Sequence, residues 1–209
     1  MIAYLEGRLL EFTDRTCVVV TGGGVGYEVA VPTSVLAALP PVGGEVRLFA
    51  HTVVREDALE LYGFLTHDER EVFRTLISID KLGPKKALAI LSHFDAAQLR
   101  DIAFREDAAM LATVPGIGPK SSKQILWFLK DKIEALGKMV VAAKGAAPAA
   151  GAQRGEYGEF LDALAGLRSL GYSEDEIRPM LRDIFDEEDD LDAAGAIRIA
   201  LKKIAAARS

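Results

Sequence analysis

The sequence is poor in the features that would mark a secreted or membrane-bound protein. Cys17 is the only cysteine among 209 residues, which excludes an intrachain disulfide framework or a cysteine metal site and favours a reducing cytoplasm. No apolar run approaches the roughly 20 residues that a membrane-spanning helix needs. The first residues lack a basic region followed by a long apolar stretch, so we expect no signal peptide.

Motifs for nucleotide hydrolysis and metal chemistry are also missing. No Gly-x4-Gly-Lys-[Ser/Thr] segment occurs, so ATP hydrolysis by this chain is not expected. The glycines at 22–24 do not make a dinucleotide fingerprint, because Tyr27 stands where a third glycine belongs and a strand follows; a barrel turn is the better interpretation. The three histidines have no metal-ligand spacing. We therefore expect no metal, no cofactor and no catalytic residue.

What the sequence does contain is a helix-hairpin-helix signature at 114–120, Val-Pro-Gly-Ile-Gly-Pro-Lys. Gly116 and Gly118 permit a tight turn and a close approach of the backbone to a ligand. The following helix, which Pro119 can begin, presents unpaired N–H groups and the positive end of its dipole, and Lys120 adds a cation. Together these features predict a phosphate-binding site; the alternative is an ordinary bend without a ligand.

An imperfect second copy lies about 35 residues upstream, at 81–88, with Lys81 in place of the first glycine, so the two bends need not be alike. Both copies lie in 65–142, which has 12 basic and 10 acidic residues, whereas 1–64 and 143–209 each have a net charge of −4. The lysines of this segment cluster at Lys81, Lys85, Lys86, Lys120, Lys123, Lys130 and Lys132. A local basic surface suits nucleic acid phosphates whatever the total charge of −6, so two copies predict contacts with two phosphates of one backbone.

The first 64 residues predict a β domain. Period-two patterns and turn residues indicate strands at 8–12, 16–21, 27–31, 45–54 and 59–64, with a short helix over 34–39. Five strands in so short a segment favour a small closed or nearly closed barrel such as an OB-fold. In the turn before the last strand, Glu56 and Asp57 admit three interpretations: solvated acids, a catalytic carboxylate pair, or an electrostatic element that repels phosphates.

Helical periodicity begins at Thr66, which can form a capping box with Glu69. Five helices carrying the two hairpins are predicted beyond it. Three further helices, at 156–170, 174–185 and 191–206, predict a small C-terminal module, in which Ser173 and Glu176 suit a second capping box. So small a module buries little by itself and usually binds a partner.

The predicted architecture is therefore multi-domain α+β. Its parts are a five-stranded OB-fold barrel (1–64), an all-α tandem helix-hairpin-helix domain (65–141), a flexible Ala- and Gly-rich linker (142–155) and a three-helix module (156–209).

Several segments, placed in order, match the pattern of one family. They are Met-Ile-x-x-Leu-x-Gly at the N-terminus, Val-Gly-Tyr-Glu-Val at 25–29, Val-Val-Arg-Glu-Asp-Ala at 53–58, Leu-Tyr-Gly-Phe at 61–64, Leu-Gly-Pro-Lys at 82–85 and Val-Pro-Gly-Ile-Gly at 114–118. The chain resembles the RuvA family, the subunits that recognise Holliday junctions in the bacterial branch migration complex. The resemblance covers about the first 135 residues, and the C-terminal module matches in architecture but not in motif.

The resemblance implies a homotetramer, with two tetramers as the alternative assembly, that holds an open four-way DNA junction on a basic face during homologous recombination and DNA repair. It places Glu56 and Asp57 in the family's central acidic pin, which guides strand separation. The phosphate-binding residues that it implies are Gly83, Lys85, Lys86, Gly116, Gly118, Lys120 and Lys123.

The C-terminal module, by the same resemblance, would dock the ATP-driven RuvB motor, and the RuvC resolvase is a further partner. The apolar candidates for contact with the motor are Leu164, Leu167, Tyr172 and Ile197, although each also suits a core position. Two positions depart from the family pattern in the DNA-binding part. Lys81 replaces the usual glycine of the first hairpin, and Pro119 stands where many members have Lys, which removes a cation and an N–H. We expect Lys123 to compensate in part.

Two other classes of function stay open. Helix-hairpin-helix glycosylases place a catalytic Asp about twenty residues beyond the hairpin, but Lys138 lies near that position and Asp131 comes too early. A nuclease would need more carboxylates or histidines near Glu56 and Asp57. A protein-interaction scaffold would not need phosphate sites.

Overall fold

The computed structural model describes residues 1–142, 155–188 and 190–207; at 131, 133–142 and 207 only the backbone is described. The chain forms a β-barrel, a central helical domain and a group of three C-terminal helices, as the sequence predicts. The predicted linker over 142–155 lies almost wholly outside the described residues. None of the described helices is long and apolar enough to cross a membrane.

Five strands form the N-terminal barrel. They are β1 Tyr4–Phe12, β2 Thr16–Val20, β3 Gly26–Ala30, β4 Glu45–Val54 and β5 Leu59–Phe64, with the short helix α1 (Thr33–Ala37) between β3 and β4. The order β1-β2-β3-β5-β4 closes through pairing of β4 with β1, and only β3 and β5 are parallel. This topology confirms the predicted OB-fold barrel. β1 begins earlier than predicted because Tyr4–Arg8 pair with β4.

The Leu-Tyr-Gly-Phe segment of β5 joins the barrel to the helical domain. Gly63 must lack a side chain, because a Cβ there would lie 2.7 Å from Cγ1 of Val29. Its neighbours Tyr62 and Phe64 are buried, and the centroid of each ring lies 4.9 Å from that of Phe73 in the first helix of the helical domain. The segment therefore packs the barrel onto that helix.

Five helices form the central domain, as predicted: α2 His67–Ile77, α3 Pro84–His93, α4 Ala96–Phe104, α5 Ala108–Leu111 and α6 Pro119–Ala142. The predicted capping box of Thr66 and Glu69 is present at the start of α2, and Asp95 forms another with Gln98 at α4. α6 spans 24 residues. Buried apolar residues of all five helices join those of the C-terminal helices in one core.

Ion pairs within α2 around Glu71 hold Arg70, which contacts the barrel. Arg70 donates to the Glu71 carboxylate at 3.0 Å and to the carbonyl of Ala3 in the barrel at 3.1 Å. Arg74 donates to both carboxylate oxygens of Glu71 at 3.2 Å. Burial acts to raise the pKa of Glu71, but the hydrogen bonds and charges of the two arginines outweigh it, so this pKa lies below its ordinary value.

Three helices form the C-terminal module: α7 Glu156–Ser169, α8 Glu174–Glu187 and α9 Ala193–Ala207. Gly171 follows the end of α7 with a positive φ of 94°. The predicted capping box at α8 is wrong, because among the described residues the Ser173 side chain makes no capping hydrogen bond. The N–H of Glu176 bonds instead to the Ser173 carbonyl at 3.2 Å, so this amide is already satisfied.

The C-terminal module packs against α4, which the sequence did not predict. The ring of Phe104 lies 5.8 Å from that of Tyr157 and 5.1 Å from that of Phe160. Asp101 of α4 accepts a hydrogen bond from the Tyr157 N–H at 2.8 Å, so it caps α7 from another domain. Gly155, the residue before α7, has no room for a Cβ because the Asp101 carboxylate occupies that space. The module is thus seated at a specific position on α4.

Replacing Glu71 with glutamine should weaken the contact between barrel and α2. Charge-assisted hydrogen bonds to two arginines would be lost, which should lower the free energy of unfolding at pH 7 by about 1–3 kcal/mol. Because folding lowers the pKa of Glu71, its contribution is present above the ordinary value of 4.5 and disappears as the pH falls through the lowered value. Urea unfolding should therefore separate wild type from Glu71→Gln at pH 7 and bring them together as the pH falls below the lowered pKa of Glu71.

Glu28→Gln on β3 is the matched control, since Glu28 is exposed and its side chain has no hydrogen bond or ion pair to a described residue. Its unfolding should stay unchanged at both pH values. An equal loss of stability in the two variants would contradict the role assigned to Glu71.

Candidate nucleic-acid interface

The first hairpin joins α2 to α3. Ile79 and Leu82 are buried, and the Leu82 N–H donates to the Ile79 carbonyl at 3.1 Å, which closes a tight turn. Asp80 and Lys81, between them, are exposed. Gly83 leads into α3 in an extended conformation (φ −77°, ψ 167°). The buried pair anchors the loop on the core, so the residues between its members project into solvent.

The second hairpin, between α5 and α6, repeats this geometry 35 positions later. Val114 and Ile117 are buried, and the Ile117 N–H donates to the Val114 carbonyl at 3.0 Å. The hydroxyl that precedes each turn is repeated as well: those of Ser78 and Thr113 each donate to the carbonyl three residues earlier, at 2.7 Å. The two sequence motifs are therefore one structural unit used twice.

Lys81 and Gly116 occupy equivalent positions in the two hairpins. Both have the left-handed backbone conformation, with φ of 64° and 84°. The sequence left open whether the two bends differ, and the structure shows that they do not. Glycine adopts this conformation freely, whereas in lysine it costs about 1–2 kcal/mol. Lysine at position 81, where the motif has glycine, thus preserves the turn but strains the backbone.

Each hairpin presents unpaired backbone N–H groups at the start of the next helix. Within the part of the chain that the structure describes, no hydrogen bond uses the N–H of Gly83 or Lys85, or that of Gly118 or Lys120. A Cβ at Gly83 or Gly118 would have no atom within 4 Å, so the space beside these amides is open. Helix starts of this kind attract anions through their N–H groups and the helix dipole.

The lysines of the basic segment differ in their partners. Four exposed lysines of the two hairpins form no ion pair with any described residue: Lys85, Lys86, Lys120 and Lys123. Lys81 lies 3.8 Å from Asp80, and the ammonium of Lys132 lies 5.9 Å from the centroid of the Phe128 ring. Lys130, by contrast, pairs with Glu106, which also binds Arg182 of the C-terminal module at 3.3 Å. Lys130 therefore belongs to the contact between domains, which its position in the sequence did not indicate.

The turn between β4 and β5 carries two uncompensated acids. The Arg55 N–H donates to the Ala58 carbonyl at 2.8 Å, which leaves Glu56 and Asp57 exposed at the tip. Neither carboxylate pairs with a described cation, and the Arg55 side chain lies 3.5 Å from Glu60 instead. Among the described residues, no group of three or more candidate metal ligands occurs. The tip therefore carries two exposed negative charges that no described cation offsets.

The four apolar candidates of the C-terminal module differ in accessibility. Leu164 and Leu167 are buried in the core, whereas Tyr172 and Ile197 are half-buried and pack against it. Leu170, at the turn after α7, is 59% exposed, and no pattern in the sequence indicated it. Helical periodicity cannot show which residue at a helix end stays in water, because that depends on how the three helices pack.

An OB-fold barrel joined to two equivalent hairpins, with open amides and unpaired lysines, defines a class of protein that binds nucleic acid by contacting its phosphates. Family models divide the chain in the same way. The RuvA N terminal domain matches residues 1–63, the SAM-like helix-hairpin-helix tandem matches 73–131, and the RuvA C-terminal domain matches 161–205.

Known proteins match nearly the whole chain. Those from Maridesulfovibrio salexigens (59% identity, 98% of both chains), Solidesulfovibrio magneticus (52%, 100% of both) and Syntrophotalea carbinolica (43%, 97% of this chain and 98% of the relative) are each named Holliday junction branch migration complex subunit RuvA. This chain belongs to the RuvA family.

Gly118→Ala tests whether DNA approaches the second hairpin closely. A methyl group there meets no atom within 4 Å, and φ is not positive, so the thermal unfolding midpoint should stay unchanged. The methyl would lie beside the open amide, however, and should weaken DNA binding in a gel shift by about tenfold, the effect of losing one hydrogen bond to a charged group.

Gly116→Ala provides the contrast. Its φ of 84° makes any side chain costly, so this variant should lose about 1–2 kcal/mol of stability. A folded Gly118→Ala variant with undiminished DNA affinity would contradict close approach of the backbone.

Proposed function

We propose that this chain binds four-way DNA junctions by their shape, with little regard to sequence, and recruits the RuvB ATPase motor for branch migration in recombination and repair. The observation that supports this most directly is the pair of equivalent hairpins, which offers two phosphate-binding sites on one domain. The names of the relatives, which refer to Holliday junctions, point to the same substrate.

The chemistry of the hairpins favours recognition of shape. Amides and lysines contact phosphates, and phosphate contacts position a protein on DNA without reading bases. Two such sites, spaced by a shared core, select an arrangement of duplex arms rather than a sequence. Each phosphate contact also releases counterions, so the affinity should fall as salt rises.

The distribution of charge supports a division of labour between barrel and helices. Unpaired lysines lie on the hairpins, whereas Glu56 and Asp57 carry unpaired negative charge at the β4–β5 tip. A DNA strand is attracted to the first surface and repelled by the second. We propose that the tip acts as an acidic pin, which separates strands at the crossover of the junction.

A junction with four arms suits four subunits, each with one pair of hairpins. We propose a homotetramer, and two tetramers could enclose the junction from both sides. The barrel has apolar side chains that favour burial against another subunit: Leu10, Phe12, Val54 and Leu59, which are between 53% and 73% exposed.

The C-terminal module, in this proposal, binds the motor, and Leu170 beside Tyr172 is its accessible apolar surface. ATP hydrolysis then resides in RuvB, and this chain supplies no catalytic residue. The chain acts in the cytoplasm, and the RuvC resolvase works on the same junction. The proposed functional parts are the barrel (1–64), the DNA-binding domain (65–141), the linker (142–155) and the motor-binding module (156–209).

A gel shift with a four-way junction and a linear duplex of the same sequence, with and without Mg²⁺, tests this function. We expect the junction to bind at least about tenfold more tightly, at every sequence alike, and the affinity to fall with salt. Equal affinity for the two DNAs would contradict recognition of shape. Cleavage of either DNA in Mg²⁺ would indicate the alternative, a helix-hairpin-helix repair enzyme.

Glu56→Gln combined with Asp57→Asn tests the acidic pin. Junction binding should be unchanged or tighter, because two charges that repel phosphate are removed, while the rate of branch migration with the motor should change. Glu11→Gln combined with Asp14→Asn, two exposed acids near the β1–β2 turn, is the control and should leave that rate unchanged. A large loss of junction binding in the pin variant would rule out a repulsive role.

A further inference from the structure

Three non-glycine residues of the described chain have the left-handed backbone conformation: Lys81 (φ 64°), Glu106 (φ 57°) and Asp190 (φ 57°). For Glu106, ion pairs with two basic side chains, those of Lys130 and Arg182, offset the cost of this conformation. Asp190 is of a residue type that tolerates this conformation in turns. Lys81 has neither explanation, since its one partner in the described structure is the exposed Asp80, 3.8 Å away.

We propose that Lys81 is itself a phosphate-binding residue of the first hairpin, and that its strained backbone is retained because it directs the ammonium group toward DNA. This role rests on the proposed function of the hairpins. It adds a contact at a position where the helix-hairpin-helix pattern has glycine.

The position of Lys81 on the hairpin supports this role. Its side chain is 86% exposed and stands on the loop between the buried residues Ile79 and Leu82. Gly83, with its open amide, follows two positions later. The lysine stem is flexible and ends in a compact, mobile charge, so the ammonium can reach a phosphate bound at the Gly83 amide.

The second hairpin shows that this turn can form with glycine at the position of Lys81. At the equivalent position Gly116 adopts φ of 84° without strain and without a charge. Both hairpins continue with Gly, Pro and Lys, at 83–85 and at 118–120. A cation on the turn itself therefore distinguishes the first hairpin, and we infer that this hairpin holds its DNA arm by one additional ionic contact.

Asp80 offers a competing explanation for Lys81. Its exposed carboxylate lies beside the same phosphate-binding surface and would repel DNA, so a neighbouring lysine could serve only to offset that charge. The two explanations differ in a double-mutant cycle. If Lys81 contacts DNA directly, removing it should cost the same DNA affinity whether residue 80 is Asp or Asn. If Lys81 only offsets the charge of Asp80, removing it should cost no affinity once residue 80 is Asn.

The test compares Lys81→Gly, Asp80→Asn and the double variant with the wild-type chain. Binding to a four-way junction and to a linear duplex is measured over a range of salt. Lys81→Gly should raise the thermal unfolding midpoint, because glycine removes the strain, and should still weaken DNA binding several-fold. The slope of log affinity against log salt should become shallower by about one for each hairpin that engages DNA. The same loss should appear in the Asp80→Asn background.

Two further variants serve as controls. Lys81→Asn tolerates the left-handed conformation without the charge, so its binding should match that of Lys81→Gly. Lys202→Asn removes one exposed charge from α9 and should leave DNA binding unchanged.

Undiminished DNA affinity and an unchanged salt slope in Lys81→Gly would overturn the contact, and so would a loss that disappears in the Asp80→Asn background. A wild-type chain that binds junction and duplex equally would refute the proposed function instead. The variants compared on duplex would then still decide the role of Lys81, so the two failures are distinguishable.

Discussion

The tight turn between two buried apolar residues is the constraint on which the DNA-binding surface depends. In each hairpin the second apolar residue donates its N–H to the carbonyl of the first, from Leu82 to Ile79 at 3.1 Å and from Ile117 to Val114 at 3.0 Å. Burial of both residues in the core of the helical domain holds the turn in place. The amides that follow are therefore oriented before any ligand arrives, which lowers the entropy cost of binding a phosphate.

Charged groups at the two domain contacts pair with specific partners. At the barrel, arginines surround Glu71 and lower its pKa against the effect of burial. At the C-terminal module, burial raises the pKa of Asp101 and of Glu156, while an α7 amide and Arg105 respectively stabilise their charged forms. These charges are engaged within the protein, whereas Lys85, Lys86, Lys120, Lys123 and the two acids of the β4–β5 tip form no ion pair with a described residue.

Much of the fold could be predicted because it depends on local patterns. Alternation of apolar residues indicated the five strands, and the capping residue Thr66 indicated a helix start. Predictions failed where a hydrogen-bond partner far away in the sequence, or a competing one nearby, determines the structure. The first residues of β1, Tyr4–Arg8, pair with β4. Pairing between strands leaves no periodic signal in the sequence of either strand alone. The capping box at Ser173 failed because a backbone carbonyl satisfied the amide first.

By itself, the sequence determined which type of site to expect: two hairpins with glycines, helix starts and lysines suit phosphate-bearing ligands. Only the tertiary structure decided which residues are free to do so. It showed that Lys81 adopts the conformation of Gly116, that Lys130 is bound to Glu106, and that Leu164 and Leu167 lie in the core while Leu170 is exposed. The physical reason is that composition and spacing specify what a residue can do, whereas its partners come from parts of the chain that packing brings together.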